Sequence, residues 1–332
     1  MNEVALPALE GTNPLGFLAA LGVLDALACA NPGATLRWTD ELVPHAVVGG
    51  VTDLDMLLDV LDRDRERWPG SVPLNFPKDS PLADAKPDEK LLREWFEVTA
   101  EQRDHRADSD LLCALVAEGA LDGNRKAKPT HLHFTAGQQK FLDMVRSLAV
   151  DVHRERLREA VCGPWRYDSP LPSLSWDGRG ERVYAVRAIN PSKEKRLGVP
   201  GSDWLAFRGL IFYPVTRTVT GSLRTTACNP EWKRSAFRWP LWSAPCTRNV
   251  AGSLVTDQTL VSQSSRTRLR PDDLAARGIL SVLEAPIRRT DQGGYGSFGA
   301  PDVLQTASPC DWTERWEPMR QHPAAVMVID IV

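Results

Sequence analysis

The stretch EGTNPLGFLAALGVLDAL, residues 10–27, constrains the fold more than any other part of the chain. Asn13-Pro14 predicts a helix start, because asparagine caps a first turn and proline is tolerated at the first helical position. The apolar run that follows keeps Gly16 and Gly22, and each glycine costs about 1 kcal/mol relative to alanine in a helix. They lie six residues apart, on different sides of the helix. We predict that each admits a separate close neighbour, such as a strand or loop backbone, and that the motif serves folding.

The composition is that of an ordinary globular protein, with 42% hydrophobic and 25% charged residues. A chain of 332 residues exceeds the size of a usual single core, so we predict two lobes, with one continuous domain as the alternative. The first apolar run contains Asp25, and no Lys or Arg precedes it. It therefore predicts neither a signal peptide nor a membrane span, and we expect a cytoplasmic protein without a membrane partner.

The charge is unevenly distributed along the chain. Residues 1–150 hold 15 Lys+Arg and 24 Asp+Glu, whereas residues 151–332 hold 25 and 19. The basic groups of the second half cluster at 153–159, 187–196, 231–238, 266–270 and 288–289. Such a chain could present a positive face to a polyanion and another face to a protein. An uneven solvated surface is the alternative.

Hydrophobic periodicity predicts an α+β fold, with a helix-rich, acidic lobe at 1–150 that has a few strands and a β-rich, basic lobe at 151–332. The boundary is soft, near 150–165. Helices are predicted at 53–68, 89–99, 110–119, 136–150 and 151–161, and a proline-rich loop at 69–90. Strands are predicted at 34–38, 45–50, 130–134, 182–189, 209–215, 216–228, 279–290 and 324–332.

The chain has no recognisable catalytic signature. Its six cysteines are scattered without a CxxC pair, which favours reduced thiols over a zinc site. The segment PLADAKPDEK (81–90) contains a fragment of a nuclease-like Asp…Glu-x-Lys arrangement, but in a proline-rich loop, and HLH (131–133) lacks a third ligand. Nucleotide-hydrolysing, dinucleotide-binding and Ser-His-Asp motifs are absent from the sequence. We therefore predict no metal, no cofactor and no identifiable catalytic residue.

Two segments indicate contact with nucleic acid, each with a packing alternative. The segment EWKRSAFRWPLW (231–242) alternates aromatic and basic residues, which can stack on bases and neutralise phosphates, although its tryptophans also suit a core. The segment GGYGSFG (293–299) has the glycine density of an anion cradle or of a plain flexible turn. The candidate nucleic-acid-binding residues are Lys193, Lys195, Arg196, Lys233, Arg234, Arg266, Arg268, Arg270, Arg288, Arg289, Tyr295 and Phe298.

Four segments that cover about a third of the chain resemble proteins encoded in type I-G (formerly I-U) CRISPR loci. They are LEGTNPLGFLAALGVLDAL with the following LRW, LPSLSWDGRGERVYAVRAINPS (171–192), GSDWLAFRGLIFYPV (201–215) and FRWPLW (237–242). The chain is similar to the family described as an extension of the CRISPR helicase-nuclease and, more weakly, to the large subunit of the same systems. It lacks the helicase and HD-nuclease motifs of the enzyme itself.

The resemblance implies an accessory or effector-complex component of CRISPR antiviral defence. Its expected partners are the CRISPR interference complex or the helicase-nuclease, with DNA or an RNA–DNA hybrid as candidate ligands. Contacts to DNA would be directed at phosphates, because the guide RNA reads base sequence in such systems. Two alternatives stay open: a metal-dependent nuclease whose carboxylates the sequence does not align, and a purely structural adaptor.

Overall fold

A computed structural model describes residues 2–102, 106–135, 137–180, 197–262, 268–290 and 295–308, which form an α+β fold, as the sequence predicts. The helices are α1 (Pro14–Ala30), α2 (Leu54–Arg67), α3 (Val72–Asn75), α4 (Glu89–Glu101), α5 (Arg106–Leu115), α6 (Phe141–Asp151), α7 (Arg154–Cys162), α8 (Pro200–Gly209), α9 (Arg248–Thr256), α10 (Gln258–Val261) and α11 (Pro271–Ala276). The strands are β1 (Glu3–Glu10), β2 (Thr35–Trp38), β3 (His45–Gly49), β4 (Val116–Leu121), β5 (Ala127–Pro129), β6 (Val215–Arg217), β7 (Leu223–Thr225), β8 (Ala236–Trp242), β9 (Cys246–Thr247), β10 (Ile279–Arg289), β11 (Gly296–Phe298) and β12 (Asp302–Thr306).

Helix α1 is buried on every side from Pro14 to Leu27. The side chain of Asn13 accepts a hydrogen bond from the Leu15 amide at 3.0 Å, so this residue caps the helix as predicted. A helix that is apolar all round must be covered all round, which explains why elements from both halves of the chain pack against α1.

The two glycines of α1 are confirmed as points of close approach. A Cβ added at Gly16 would lie 2.6 Å from the carbonyl oxygen of Glu10, at the end of β1. A Cβ at Gly22 would lie 1.9 Å from the carbonyl oxygen of Leu205 in α8, and Gly209 of α8 is equally close to the backbone of α1. The neighbours are therefore one strand end and one helix, and the helices α1 and α8 meet backbone to backbone.

The strands form two larger sheets and two separate hairpins. The first sheet has the order β1-β3-β2-β9, and in the second β10 pairs with β8, β11 and β12. All of these pairings are antiparallel. The hairpins β4–β5 and β6–β7 share a small hydrophobic cluster of their own, formed by Ala117, Ala120, Val215 and Leu223.

Two of the three tryptophans of EWKRSAFRWPLW, Trp239 and Trp242, pack in the core, which confirms the packing alternative for that part of the segment. Trp239 and Trp242 are 0% and 1% exposed, and their rings lie 5.8 and 6.3 Å from the ring of Phe17 in α1. One buried cluster runs from Leu6 to Phe298 across the predicted boundary. This continuity favours the one-domain alternative, and the division at 150–165 stays a prediction.

Most of the predicted elements are present, but two predicted strands are wrong. Residues 130–134 form turns and irregular backbone, and 209–215 hold the end of α8 and a 3-10 turn before β6 begins. Short apolar runs occur in buried helices as well as in buried strands, so periodicity alone does not separate the two. The predicted helix 110–119 divides into α5 and β4, and 216–228 forms a hairpin rather than one strand.

The predicted strands 182–189 and 324–332 lie outside the described residues. Among the helices that are described, none has both the length and the apolar character needed to cross a bilayer.

Candidate nucleic-acid interface

The pairing of β8 with β10 brings together candidate residues that are more than fifty positions apart in the chain. The Ile287 amide donates to the Ser235 carbonyl oxygen at 2.7 Å, so the pairing continues one residue beyond the start of β8. Arg234 in the turn before β8 and Arg288 near the end of β10 therefore lie at the same end of this strand pair. We call Lys233, Arg234 and Arg288 the basic ribbon end.

All three side chains of the basic ribbon end are exposed. Cations gathered at one end of a strand pair raise the local positive potential, which attracts a polyanion. Lysine and arginine side chains on exposed positions are the groups that most often contact phosphates. The basic ribbon end therefore has the charge and accessibility of a phosphate-binding surface.

Arg289 has a different environment from its neighbour Arg288. Its guanidinium donates to the carbonyl oxygens of His131 and His133 at 2.7 and 3.1 Å, and its Cζ lies 3.7 Å from the ring centroid of Trp232. Burial lowers the pKa of Arg289 to about 10. This residue thus holds the 131–133 loop and Trp232 in place, which corrects the direct phosphate contact predicted for it.

The described part of GGYGSFG closes the sheet rather than cradling an anion. The Gly296 amide donates to the Phe134 carbonyl oxygen at 3.0 Å, and the Gly299 amide donates to that of Pro286 at 2.7 Å. A Cβ at Gly296 would lie 2.5 Å from the Phe134 ring, so this glycine is required by packing. The anion-cradle prediction is wrong for these two amides, and Gly293 and Gly294 lie outside the described residues.

The two aromatic residues of the same segment have different positions. Phe298 is 0% exposed, with its ring 5.0 Å from Phe134 and 5.7 Å from Phe237, so it belongs to the core. This placement corrects the base-stacking role predicted for Phe298. Tyr295 is half-buried, and its carbonyl oxygen accepts from the Thr290 amide just beyond Arg289. Tyr295 therefore stays a candidate beside the basic ribbon end.

Arg268 and Arg270 lie toward the opposite end of β10. The Ser308 amide donates to the Pro271 carbonyl oxygen, and the Ala307 amide donates to that of Leu280, which places this region beside the start of β10. Eight residues of strand separate Leu280 from Arg288, or about 26 Å. Both arginines are exposed, and Arg270 pairs with Asp273 at 3.0 Å. Four further candidates, Lys193, Lys195, Arg196 and Arg266, lie outside the described residues.

The basic cluster at 153–159 is largely neutralised inside the molecule. Arg154 and Arg158 of α7 pair with Asp55 of α2 at 3.0 and 2.8 Å, and Arg154 also contacts Asp59. Because acidic α2 and basic α7 pack together, part of the charge separation along the sequence cancels in the fold. A polyanion would have to displace these carboxylates to reach α7.

The two histidines of HLH take separate partners. His133 Nε2 lies 2.6 Å from Asp84 Oδ1, and His131 Nδ1 lies 2.8 Å from the hydroxyl of Thr225. Burial lowers the pKa of His131 to about 4, so it is neutral at physiological pH. Asp84 comes from PLADAKPDEK, and that loop serves the fold here. No group of three or more His, Cys, Asp or Glu residues suited to a metal ion occurs in the described ranges.

A buried charge network that the sequence patterns do not predict joins helices from both halves of the chain. Arg208 of α8 is 0% exposed and donates to Asp25 of α1 at 2.6 Å and to Asp64 of α2 at 3.0 Å. Arg248 of α9 bonds to the other oxygen of Asp25 at 2.6 Å. The signal was available, since Asp25 and Arg208 are charged residues inside apolar runs. The network joins four helices, and because Asp25 and Arg208 are buried it points to a structural role.

A second group that the sequence patterns do not predict lies around the start of α1. Asp177 accepts from Tyr167 Oη at 2.6 Å and from Asn13 Nδ2 at 2.8 Å. Trp239 Nε1 donates to the Gly11 carbonyl oxygen at 2.8 Å. Nearby Asp203 of α8 is 1% exposed, accepts from the Leu174 amide at 3.1 Å, and has a pKa that burial raises to about 8.

These contacts join the four segments that carry the family resemblance. Gly11, Asn13 and Gly22 belong to the first of them, and their partners belong to the other three. The described parts of these four segments therefore pack around α1. None of the contacts places a reactive group at the surface.

An open cleft of about 310 Å³ lies between α5 and α9. Its two charged side chains, Asp110 and Arg248, pair with each other at 3.0 Å, so their charges are balanced.

Neither a scan against protein-family models nor a search of curated proteins gives a match for this chain.

Proposed function

We propose that this chain binds nucleic acid through phosphate contacts, as an accessory or effector-complex component of type I-G CRISPR defence. The observation that carries the proposal is the convergence of Lys233, Arg234 and Arg288 at one end of the β8–β10 pair. These residues come from two of the predicted basic clusters, and only the fold makes them neighbours.

The surroundings of the basic ribbon end favour single-stranded segments. Trp232 is half-buried and is held by Arg289, and Tyr295 follows the same end of β10. Aromatic rings of this kind stack on unpaired bases, at about 1–3 kcal/mol per base, without reading their identity. Phosphate contacts with adjacent stacking bind strongly and with little sequence preference, as an RNA-guided system requires.

The CRISPR context is supported by the sequence resemblance alone. It implies that the partner is the interference complex or the helicase-nuclease and that the ligand is DNA or an RNA–DNA hybrid. We infer a cytoplasmic location from the same context.

The first experiment measures binding of fluorescent single-stranded and duplex DNA to the triple variant K233E/R234E/R288E. If all three residues contact phosphates, the salt dependence of the association constant should lose a slope of about 2 to 3 units. Affinity should fall for all sequences alike, because phosphate contacts carry no sequence information.

A matched control is K90E/R93E/R106E, which makes the same change in net charge. These three side chains are 88%, 60% and 87% exposed and lie on α4 and α5. Binding by the control should stay close to wild type. Equal losses in both triple variants would show that bulk charge, not the basic ribbon end, drives binding. Absence of wild-type binding at physiological salt would refute the proposal and favour the structural adaptor.

A further inference from the structure

The hairpin β6–β7 carries an apolar side chain at its tip, fully in solvent. Val219 is 101% exposed. The turn around it is tightly hydrogen-bonded, since the Thr218 amide donates to the Ser222 carbonyl oxygen at 2.8 Å and the Gly221 amide donates to that of Thr218 at 2.9 Å. Gly221 has a φ of +77°, which glycine adopts without strain. The turn therefore holds Val219 outward in one defined position.

The stem of this hairpin is basic. Arg217 and Arg224 are both exposed, and Arg224 donates to the neutral amide oxygen of Gln258 at 3.0 Å. Arg208, Arg238 and Arg248 of the flanking segments are paired with carboxylates. The positive charge of the hairpin is therefore that of Arg217 and Arg224 in its own stem. An apolar tip on a basic stem suits a polyanion with apolar faces, and nucleic acid is such a polyanion.

The hairpin is also firmly held. Val215 and Leu223 pack against Ala117 and Ala120 of β4, and Arg217 lies across Gly119 of the same strand. A rigid arm loses little conformational entropy when it binds, so its tip can be pushed between bases at lower cost than the tip of a flexible loop.

The base of the hairpin adjoins the basic ribbon end. The Thr225 hydroxyl lies 2.8 Å from His131 Nδ1, and the His131 ring centroid lies 5.3 Å from that of Trp232. Three residues of strand, about 10 Å, separate Thr225 from Ser222, and Val219 lies in the turn just beyond. A nucleic-acid strand covers such a distance in about three to four nucleotides. One ligand can therefore contact the basic ribbon end and the hairpin tip together.

We propose that hairpin β6–β7 is a wedge that inserts Val219 against the last base pair of a duplex, where it meets single-stranded DNA. This inference rests on the proposed function. Arg217 and Arg224 contact phosphates on either side of the insertion, and the unpaired strand continues to Trp232 and the basic ribbon end. Apolar side chains inserted at base steps unstack them, and a junction yields more readily than a duplex interior because its last pair has one fewer stacking neighbour.

The experiment uses a forked DNA with 2-aminopurine at the last paired position and measures binding and fluorescence on the same sample. Wild-type protein should raise the emission as the base unstacks. The variant V219S should bind without that rise, and its preference for fork over duplex should fall about fivefold. The variant V219F, with a larger apolar tip, should restore the rise.

The matched control is V303S, which alters a valine that is 59% exposed on β12. It should leave the fluorescence rise and the fork preference unchanged. If wild-type protein binds the fork but V219S unstacks the base equally well, the wedge is refuted while the proposed function stands. If wild-type protein binds neither fork nor single strand, the proposed function fails, and the wedge fails with it.

Discussion

The sharpest test of the fold is the substitution Gly22→Ala in α1. A Cβ at this position would lie 1.9 Å from the Leu205 carbonyl oxygen, whereas the closest ordinary contacts are above 3.0 Å. The obstacle is helix backbone, so α1 and α8 must separate by more than 1 Å rather than turn a side chain aside. Separating two packed helices opens gaps along their whole contact, which costs dispersion energy at every one of them.

Two opposing effects determine how much Gly22→Ala changes the free energy of unfolding. Alanine in place of glycine favours a helix by about 1 kcal/mol through its backbone entropy. Overpacking in a core costs about 1–3 kcal/mol, and this clash lies at or above the upper end of that range because backbone meets backbone. We therefore expect Gly22→Ala to lower the free energy of unfolding by about 2 kcal/mol or more.

The assay is urea unfolding followed by circular dichroism, with Gly252→Ala in α9 as the matched control. A Cβ at Gly252 would lie 3.7 Å from the ring of Phe212, an ordinary contact, so the same substitution should stabilise the protein by about 0.5–1 kcal/mol. The two substitutions should thus change the free energy of unfolding in opposite directions. A Gly22→Ala protein as stable as wild type, or stabilised like Gly252→Ala, would refute the backbone-contact account.

Further predictions concern the core, the charge network and pH. Phe298→Ala should lower stability by about 3–5 kcal/mol, because it leaves a cavity, whereas Tyr295→Ala should weaken single-strand binding with little change in melting temperature. Equal stability losses in both would contradict the different placements of the two rings. Arg208→Met should lower the free energy of unfolding in urea by about 3–5 kcal/mol, because Asp25 and Asp64 would stay buried without their shared cation. An unchanged urea midpoint would contradict this role of Arg208. Burial raises the pKa of Asp203 to about 8. Between about pH 4 and pH 8 the folded state therefore keeps a proton that the unfolded state loses. The contribution of Asp203 to the free energy of unfolding declines as pH rises through this range. Asp203→Asn should therefore stabilise the protein more at pH 8 than at pH 5, and a gain independent of pH would exclude this cause.

Local signals predicted much of the architecture correctly. Asn13-Pro14 marks the start of α1, an apolar run marks β10, and the glycines of α1 show where neighbours approach closely. Such features depend on residues within a few positions of one another, so their physical cause is present in the sequence. The candidate site was predicted only as separate basic clusters, because charge patterns show where cations occur along a chain but not which clusters meet.

The sequence by itself determined the buried helix α1, its start and its two points of close contact, since capping, apolar periodicity and glycine geometry are local properties. Only the tertiary structure decided that Arg234 and Arg288 lie at the same end of the β8–β10 pair, because strand register depends on pairing between distant segments. Packing between distant elements likewise neutralised the arginines of α7 with carboxylates of α2 and buried Phe298. Long-range contacts determine which charged side chains stay exposed to a ligand. For that reason the basic ribbon end forms only in the folded chain.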